Sequence, residues 1–312
     1  MTDGGAKQAD FRDPGVLIPF ILITLIWSST WIVIKDQLGV VPGPWSVAYR
    51  FALAGLVMAA AAAILRRPLR LGAGGHAFAL ALGLFQFVLN FNLVYAAEQY
   101  VTSGLVALVF ALLIVPNTIL ARLFFRQPVS ARFALGSGVA IAGLALLFLR
   151  EVRGAAADAP MVLTGIGYTL IGVCCASAAN VMQLAEPARR LPATSLLAWA
   201  MLYGAALDAA VAWAVHGPPV VEHRAGYWLG LLYLGTVATA GAFLLYYRLI
   251  RAIGPARSAY SSVLIPIFAM AISTAVEGYR WTPLAAAGVM LAIAGLVIAL
   301  GSKRIAPVPI TD

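Results

Sequence analysis

Charge is the first thing this sequence lacks. Only 11% of its 312 residues are charged and 62% are hydrophobic, whereas a soluble domain carries roughly 25% charged residues. A water-facing surface is therefore excluded for most of the chain. Cysteine is nearly absent: Cys174 and Cys175 are neighbours in an apolar stretch, a poor geometry for a disulfide, and no second pair exists to complete a metal site. They read as small packing residues. Histidine is as sparse, with His76, His216 and His223 scattered in predicted loops and no H-E-x-x-H, which argues against a zinc protease. No G-x-x-x-x-G-K-[ST] occurs either, so an ATP-driven pump cannot be built on this chain alone. Neither cofactor nor metal is expected.

Long polar connections are missing too. Ten apolar stretches run at 16–34, 45–65, 76–97, 101–122, 132–149, 162–183, 194–215, 227–247, 258–276 and 283–300. Each is close to the roughly 20 residues that a helix needs to cross a hydrocarbon core of about 30 Å. Unbroken apolarity predicts helices, because barrel strands alternate polar and apolar residues. The first stretch ends without a small-x-small cleavage site, so it reads as a retained span.

The net charge of +9 lies in the loops. Fifteen cations fall on the face bearing both termini, five fall on the other, and Arg50 is left inside a span. That bias predicts cytoplasmic tails at 1–15 and 303–312 in an inner-membrane protein. The partner of this charge is then the lipid bilayer, not nucleic acid. Trp45, Trp213, Tyr227, Trp228 and Trp281 fall at the opposite span ends and read as headgroup anchors.

The halves resemble each other. Gly136 and Ala140 to Leu144 recur as Gly288 and Ala292 to Leu296, 152 residues on, and Pro116 and Pro266 are 150 apart. Two repeats follow, 16–150 and 162–302, with five spans each. Five is odd, so the second repeat must enter from the opposite side. The expected fold is an all-α integral membrane protein of ten transmembrane helices in two inverted five-helix repeats, the usual basis of alternating access to a midplane site.

Several side chains are candidates for that site. Pro116 and Pro266 free the carbonyls of Leu112 and Ser262, at corresponding places in the two halves, as a substrate gate would; kinks satisfied by neighbouring helices are the alternative. Gln86 and Asn90 share a helix face, with Tyr95 towards the outer end. They form either a hydrogen-bonding cavity wall or helix-to-helix contacts worth about 1 kcal/mol. Asn180 and Tyr246 are of the same kind, and Asn92, on another face, reads as structural. Asp208, the one acid deep in a span, is either a proton-coupling carboxyl, a partner of Arg50, or a group facing water. The small residues of spans five and ten allow close helix packing or a homodimer seam.

The run LIWSSTWIVIK with Trp27, Ser28, Ser29 and Lys35, the Tyr49-Arg50-Phe51 of span two, and LLYYRLIRAIGPARSAYSSVLIPIF followed by Glu277 resemble the EamA family of the drug/metabolite transporter superfamily. In the first half Arg126-Gln127-Pro128 departs from the family's acid. The resemblance implies secondary transport of small metabolites around a cavity built by spans one, three, four, six, eight and nine. Gln86, Asn90, Tyr95, Asn180 and Tyr246 fall on cavity spans, Trp27 offers a stacking face there or meets lipid, and Asp208 becomes peripheral. The expected activity is export of small neutral or zwitterionic metabolites, such as amino acids including aromatic ones. An uncoupled facilitator, a membrane enzyme and an assembly subunit are the alternatives.

Overall fold

The computed structural model describes residues 13–126, 129–155, 158–246, 249 and 261–300. Ten helices of 16 residues or more lie within them: α1 Pro14–Asp36, α2 Gly43–Ile64, α3 Gly72–Ala97, α4 Ser103–Phe125, α5 Ala131–Ala155, α6 Ala159–Met182, α7 Ala193–His216, α8 Ala225–Tyr246, α9 Ser261–Val276 and α10 Pro283–Leu300. No strand occurs among the described residues. Eight of the ten, α1 to α8, are long and apolar enough to cross a membrane; the apolar parts of α9 and α10 are shorter. The protein is a multi-pass, all-helical membrane protein. His76 lies inside α3 and His216 ends α7, so neither is a loop residue as expected.

Local chemistry sets the helix ends. Asp13 caps α1, its carboxylate accepting from the Gly15 amide at 2.8 Å, with Pro14 at the first position, where a missing N–H costs nothing. Large apolar residues face outward: Ile64 is 81% exposed and Met290 70%, as expected for side chains that meet lipid. Polar groups are enclosed instead, among them Ser28, Asn90, Glu98 and Asp208.

Glycine governs the closest helix contact. A Cβ on Gly143 would stand 2.4 Å from the Ala292 nitrogen, and one on Gly136 2.3 Å from that of Ala299. The two backbones touch and run antiparallel, so this small-residue stripe is used up inside the chain and is not an exposed dimer seam. α2 and α7 are antiparallel as well: Trp45 Nε1 donates to the Gly217 carbonyl at 3.2 Å while Gly55 abuts Leu202. Other contacts join α3 to α6 and α7, α1 to α8 and α9, α4 to α6 and α9, and α2 to α8.

Two helices carry irregular turns that the sequence did not announce. Leu84–Leu89 in α3 and Tyr233–Gly241 in α8 are π-helical, a geometry that tends to mark functional positions. α4 tightens to a 3-10 turn at Ala111–Leu113, just before Pro116. Trp45 and Tyr227 are 5% and 0% exposed, the Tyr227 hydroxyl lying 2.8 Å from Ser46 Oγ. They tie helices together and are not lipid anchors, whereas Trp213, Trp228 and Trp281 are exposed.

Candidate functional site

Let the near side be the one on which α1 begins and the far side the one on which it ends. Towards the near side a cleft opens between α3, α6, α7 and α8, lined by Leu82, Gln86, Phe87, Asn180, Gln183, Leu197 and Phe243. Three amides and two aromatic rings meet there, and none of these lining residues is charged. The free volume is about 20 Å³, room for about one water, so a solute fits only when the helices part. Phe243 continues the cleft into an aromatic group. Its ring is 6.3 Å from Phe87 and 5.9 Å from Trp27, and Trp27 lies 5.1 Å from Tyr246. Trp27 Nε1 donates to the Ala238 carbonyl at 3.1 Å, within the π-helical turn of α8. Trp27 thus faces the interior, not lipid.

The expected site residues therefore separate into groups. Gln86, Asn180, Trp27 and Tyr246 converge around Phe243. Asn90, one turn further along α3, donates to the Gln86 carbonyl at 3.3 Å and leaves its own Oδ1 buried without a partner among the described residues. Tyr95 is elsewhere, 1% exposed and donating to Gln37 Oε1 at 2.7 Å. Phe87, Gln183 and Phe243 were not singled out from the sequence; a phenylalanine is mute in an apolar run, and Gln183 lies just past its helix end.

The far side is tied shut. Lys35 donates to the carbonyls of Glu98 and, at 3.3 Å, Val101. Glu277 accepts from the Ser103 hydroxyl at 2.6 Å and its amide at 3.2 Å. At the surface Arg224, capping α8, grips Asp36 through both carboxylate oxygens at 2.8 and 2.9 Å and its carbonyl at 2.6 Å, and this bond raises the guanidinium's pKa. Beneath these ties lies Glu98, 0% exposed, with neither carboxylate oxygen hydrogen-bonded among the described residues. Burial pushes its carboxyl well above the usual range; Lys35 and Arg50 pull it down and Glu277 adds to the rise. A shallow hollow of about 480 Å³, lined by Lys35, Gly39, Pro42 and Gln99 among others, lies outside.

Asp208 and Arg50 do not pair. Asp208, 0% exposed, accepts from Asn92 Nδ2 at 2.6 Å, joining α7 to α3 away from the cleft. Arg50 instead donates from Nε to Thr239 at 3.2 Å and lies 4.6 Å over the Phe91 ring, where a cation meets a negative π face. Pro266 is buried in α9 and Pro116 half-buried in α4; neither lines the cleft. Of the first-half departure, Gln127 and Pro128 lie outside the described residues.

The model of the EamA-like transporter family matches residues 15–149 and again 163–301. The chain belongs to that family. Among its relatives, Protein PagO of Salmonella typhimurium is 24% identical over 268 residues, covering 86% of this chain and 87% of that one. An uncharacterized transporter of Buchnera aphidicola is 22% identical over 259 residues, covering 81% and 82%. One crystal structure superposes with a TM-score of 0.63 at 20% identity over 91% of this chain and 96% of its own, a likeness of fold alone. This EamA-like chain is a membrane transporter whose cargo none of these names specifies.

Proposed function

We propose that the protein is an inner-membrane secondary carrier that exports small neutral or zwitterionic metabolites, amino acids including aromatic ones foremost, by alternating access. The observation that carries this reading is the uncharged, amide-and-aromatic cleft on the near side, set against a far side closed by several ties. Amides can bond an amino group and a carboxylate alike, and rings offer stacking to an aromatic side chain; the described lining has no fixed charge to hold a strongly ionic cargo.

The inverted repeat has its own support. Gly235 follows Gly83 by 152 residues, and each fits where a side chain would strike a neighbouring helix: Ala200 of α7 against Gly83, Leu53 of α2 against Gly235. Shifted by the same offset, the π-helical turn of α3 falls within that of α8. Exchanging each helix for the one five places on turns the α3–α7 contact into α8–α2, α3–α6 into α8–α1, and α1–α9 into α6–α4. Counterparts α2 and α7, like α5 and α10, run antiparallel, as inverted units must. The family model's two matches fall on the two halves. With ten crossings and the cation bias, both termini lie in the cytoplasm.

Reconstituted vesicles test the cargo. Efflux of a radiolabelled aromatic amino acid down its gradient, competed by unlabelled zwitterions and lost in Gln86→Ala with Asn180→Ala, is the expected result. Vesicles that retain every amino acid while the protein is folded would refute this cargo class.

A further inference from the structure

The near-side cleft leaves the strangest group in the molecule unused. Glu98 follows α3 with a carboxyl group that is 0% exposed and whose two oxygens find no donor among the described residues, an arrangement that costs several kcal/mol for an ionised group. Its surroundings explain why no donor comes. Lys35, from α1, spends its ammonium on backbone carbonyls, one of them that of Glu98 itself. Arg50, from α2, turns to Thr239 and the Phe91 face. Glu277, following α9, is already satisfied by Ser103 of α4. Tyr95, on α3, gives its hydroxyl to Gln37. Among the described residues the charged and titratable groups facing Glu98 are thus Lys35, Arg50, Glu277 and Tyr95.

Lys35, which binds the Glu98 carbonyl, and Gln99, the next residue along, both line the far-side hollow, so that compartment reaches the immediate neighbours of the carboxyl. We propose that Glu98 is a proton-binding latch for the far side: the gate is shut while the carboxyl holds its proton and opens as the proton leaves to far-side water. In the open form Lys35 leaves the carbonyls, water enters from the hollow, and the carboxylate gains both hydration and an ammonium partner. This rests on the alternating-access reading above, because it requires that the far side opens at all.

The sign follows from linkage. The shut state holds the Glu98 proton more tightly, through burial and the Glu277 charge, so acid favours the shut state and base the open one. Between the two states' pKa values the shut-to-open ratio falls by up to about tenfold per pH unit. Acidification of the far compartment therefore slows the carrier at its opening step.

Electron-spin distance measurements on the full chain, with Cys174→Ala and Cys175→Ala and labels on Val40→Cys and Pro283→Cys, need no cargo. We expect a short distance at pH 5 and a longer population that grows at least tenfold by pH 8. Glu98→Gln holds the short distance at every pH, Glu98→Asp keeps the response, and Asp208→Asn leaves it unchanged. Where Glu98→Gln fails to fold, Glu277→Gln serves: removing the like charge moves the midpoint to lower pH, and an unmoved midpoint overturns the latch. A pH response that survives Glu98→Gln also overturns it. Two populations that ignore pH overturn the latch and leave alternating access standing; one distance under all conditions overturns both.

Discussion

The two ends of this molecule, counterparts under the proposed inverted repeat, differ. On the near side α3, α6, α7 and α8 leave amides and rings around a cleft, with Gln86, Asn180 and Gln183 among its lining. On the far side the corresponding ends, α1 against α8 and α3, are laced by Arg224 to Asp36, Tyr95 to Gln37 and Lys35 to the Glu98 carbonyl. Uncharged groups thus line the described cleft at one mouth, while charged side chains make the bonds that cross the other. A carrier needs one mouth closed while the other is accessible, and under the proposed cycle the described far-side ties belong to the closed mouth.

The contrast depends on a shared frame, so the largest effect should come from breaking it. Gly295→Leu would drive a Cβ to 2.2 Å from the Ala140 nitrogen and force α5 from α10. Overpacking of this kind costs about 3 kcal/mol, to be seen as early thermal unfolding in detergent. Gly138→Leu, with nothing within 4 Å, should unfold like the parent. Asp208→Ala removes the acceptor that joins Asn92 to α7 at 2.6 Å, leaving Asn92 only the Val88 carbonyl of its own helix, and should cost about 1–3 kcal/mol by the same assay, whereas Asp208→Asn should keep most of the bond.

Smaller changes sharpen the difference between the ends. Gln86→Ala should weaken the stabilisation given by a bound amino acid by about tenfold in apparent affinity, the worth of one hydrogen bond near 1.4 kcal/mol, with the unliganded melting temperature unmoved. Gln37→Ala removes the bond from Tyr95 and should raise the open far-side population several-fold in the spin-distance assay. Arg224→Gln should do least, because its pair with Asp36 is half exposed. Its effect should shrink further as salt is raised.

Much of the frame was legible in the sequence because bilayer thickness and helix rise fix span lengths: the expected 194–215 and 283–300 fall within one residue of α7 and α10. The expected repeat also pointed to glycines that prove to set the closest backbone contact. The π-helical turns were not legible, since no proline marks them; Gly83 beside one and Gly235 within the other pack against neighbouring helices distant in sequence. Gln86, Asn180, Trp27 and Tyr246 were readable as polar or amphipathic groups on the right helices. Tyr95 was readable too, but which end of a helix is sealed is decided by partners such as Gln37, distant in sequence. Asp208 drew attention as the deep acid, while Glu98, at a span boundary, did not. Depth in the sequence does not say which acid is partnered: Asp208 has Asn92, whereas the enclosed Glu98 has no donor among the described residues.

The coupling of the two mouths is the claim most open to a direct test. In the chain with Cys174→Ala and Cys175→Ala, Asp36→Cys and Arg224→Cys are joined by a short thiol cross-linker, and the separation of fluorophores incorporated at Gly74 and Arg189, across the near side, is followed in vesicles. Before cross-linking two near-side distances are expected to interconvert; with the far side tied, only the longer, open one should remain. A near side that goes on sampling both distances behind a sealed far side would contradict alternating access in this protein.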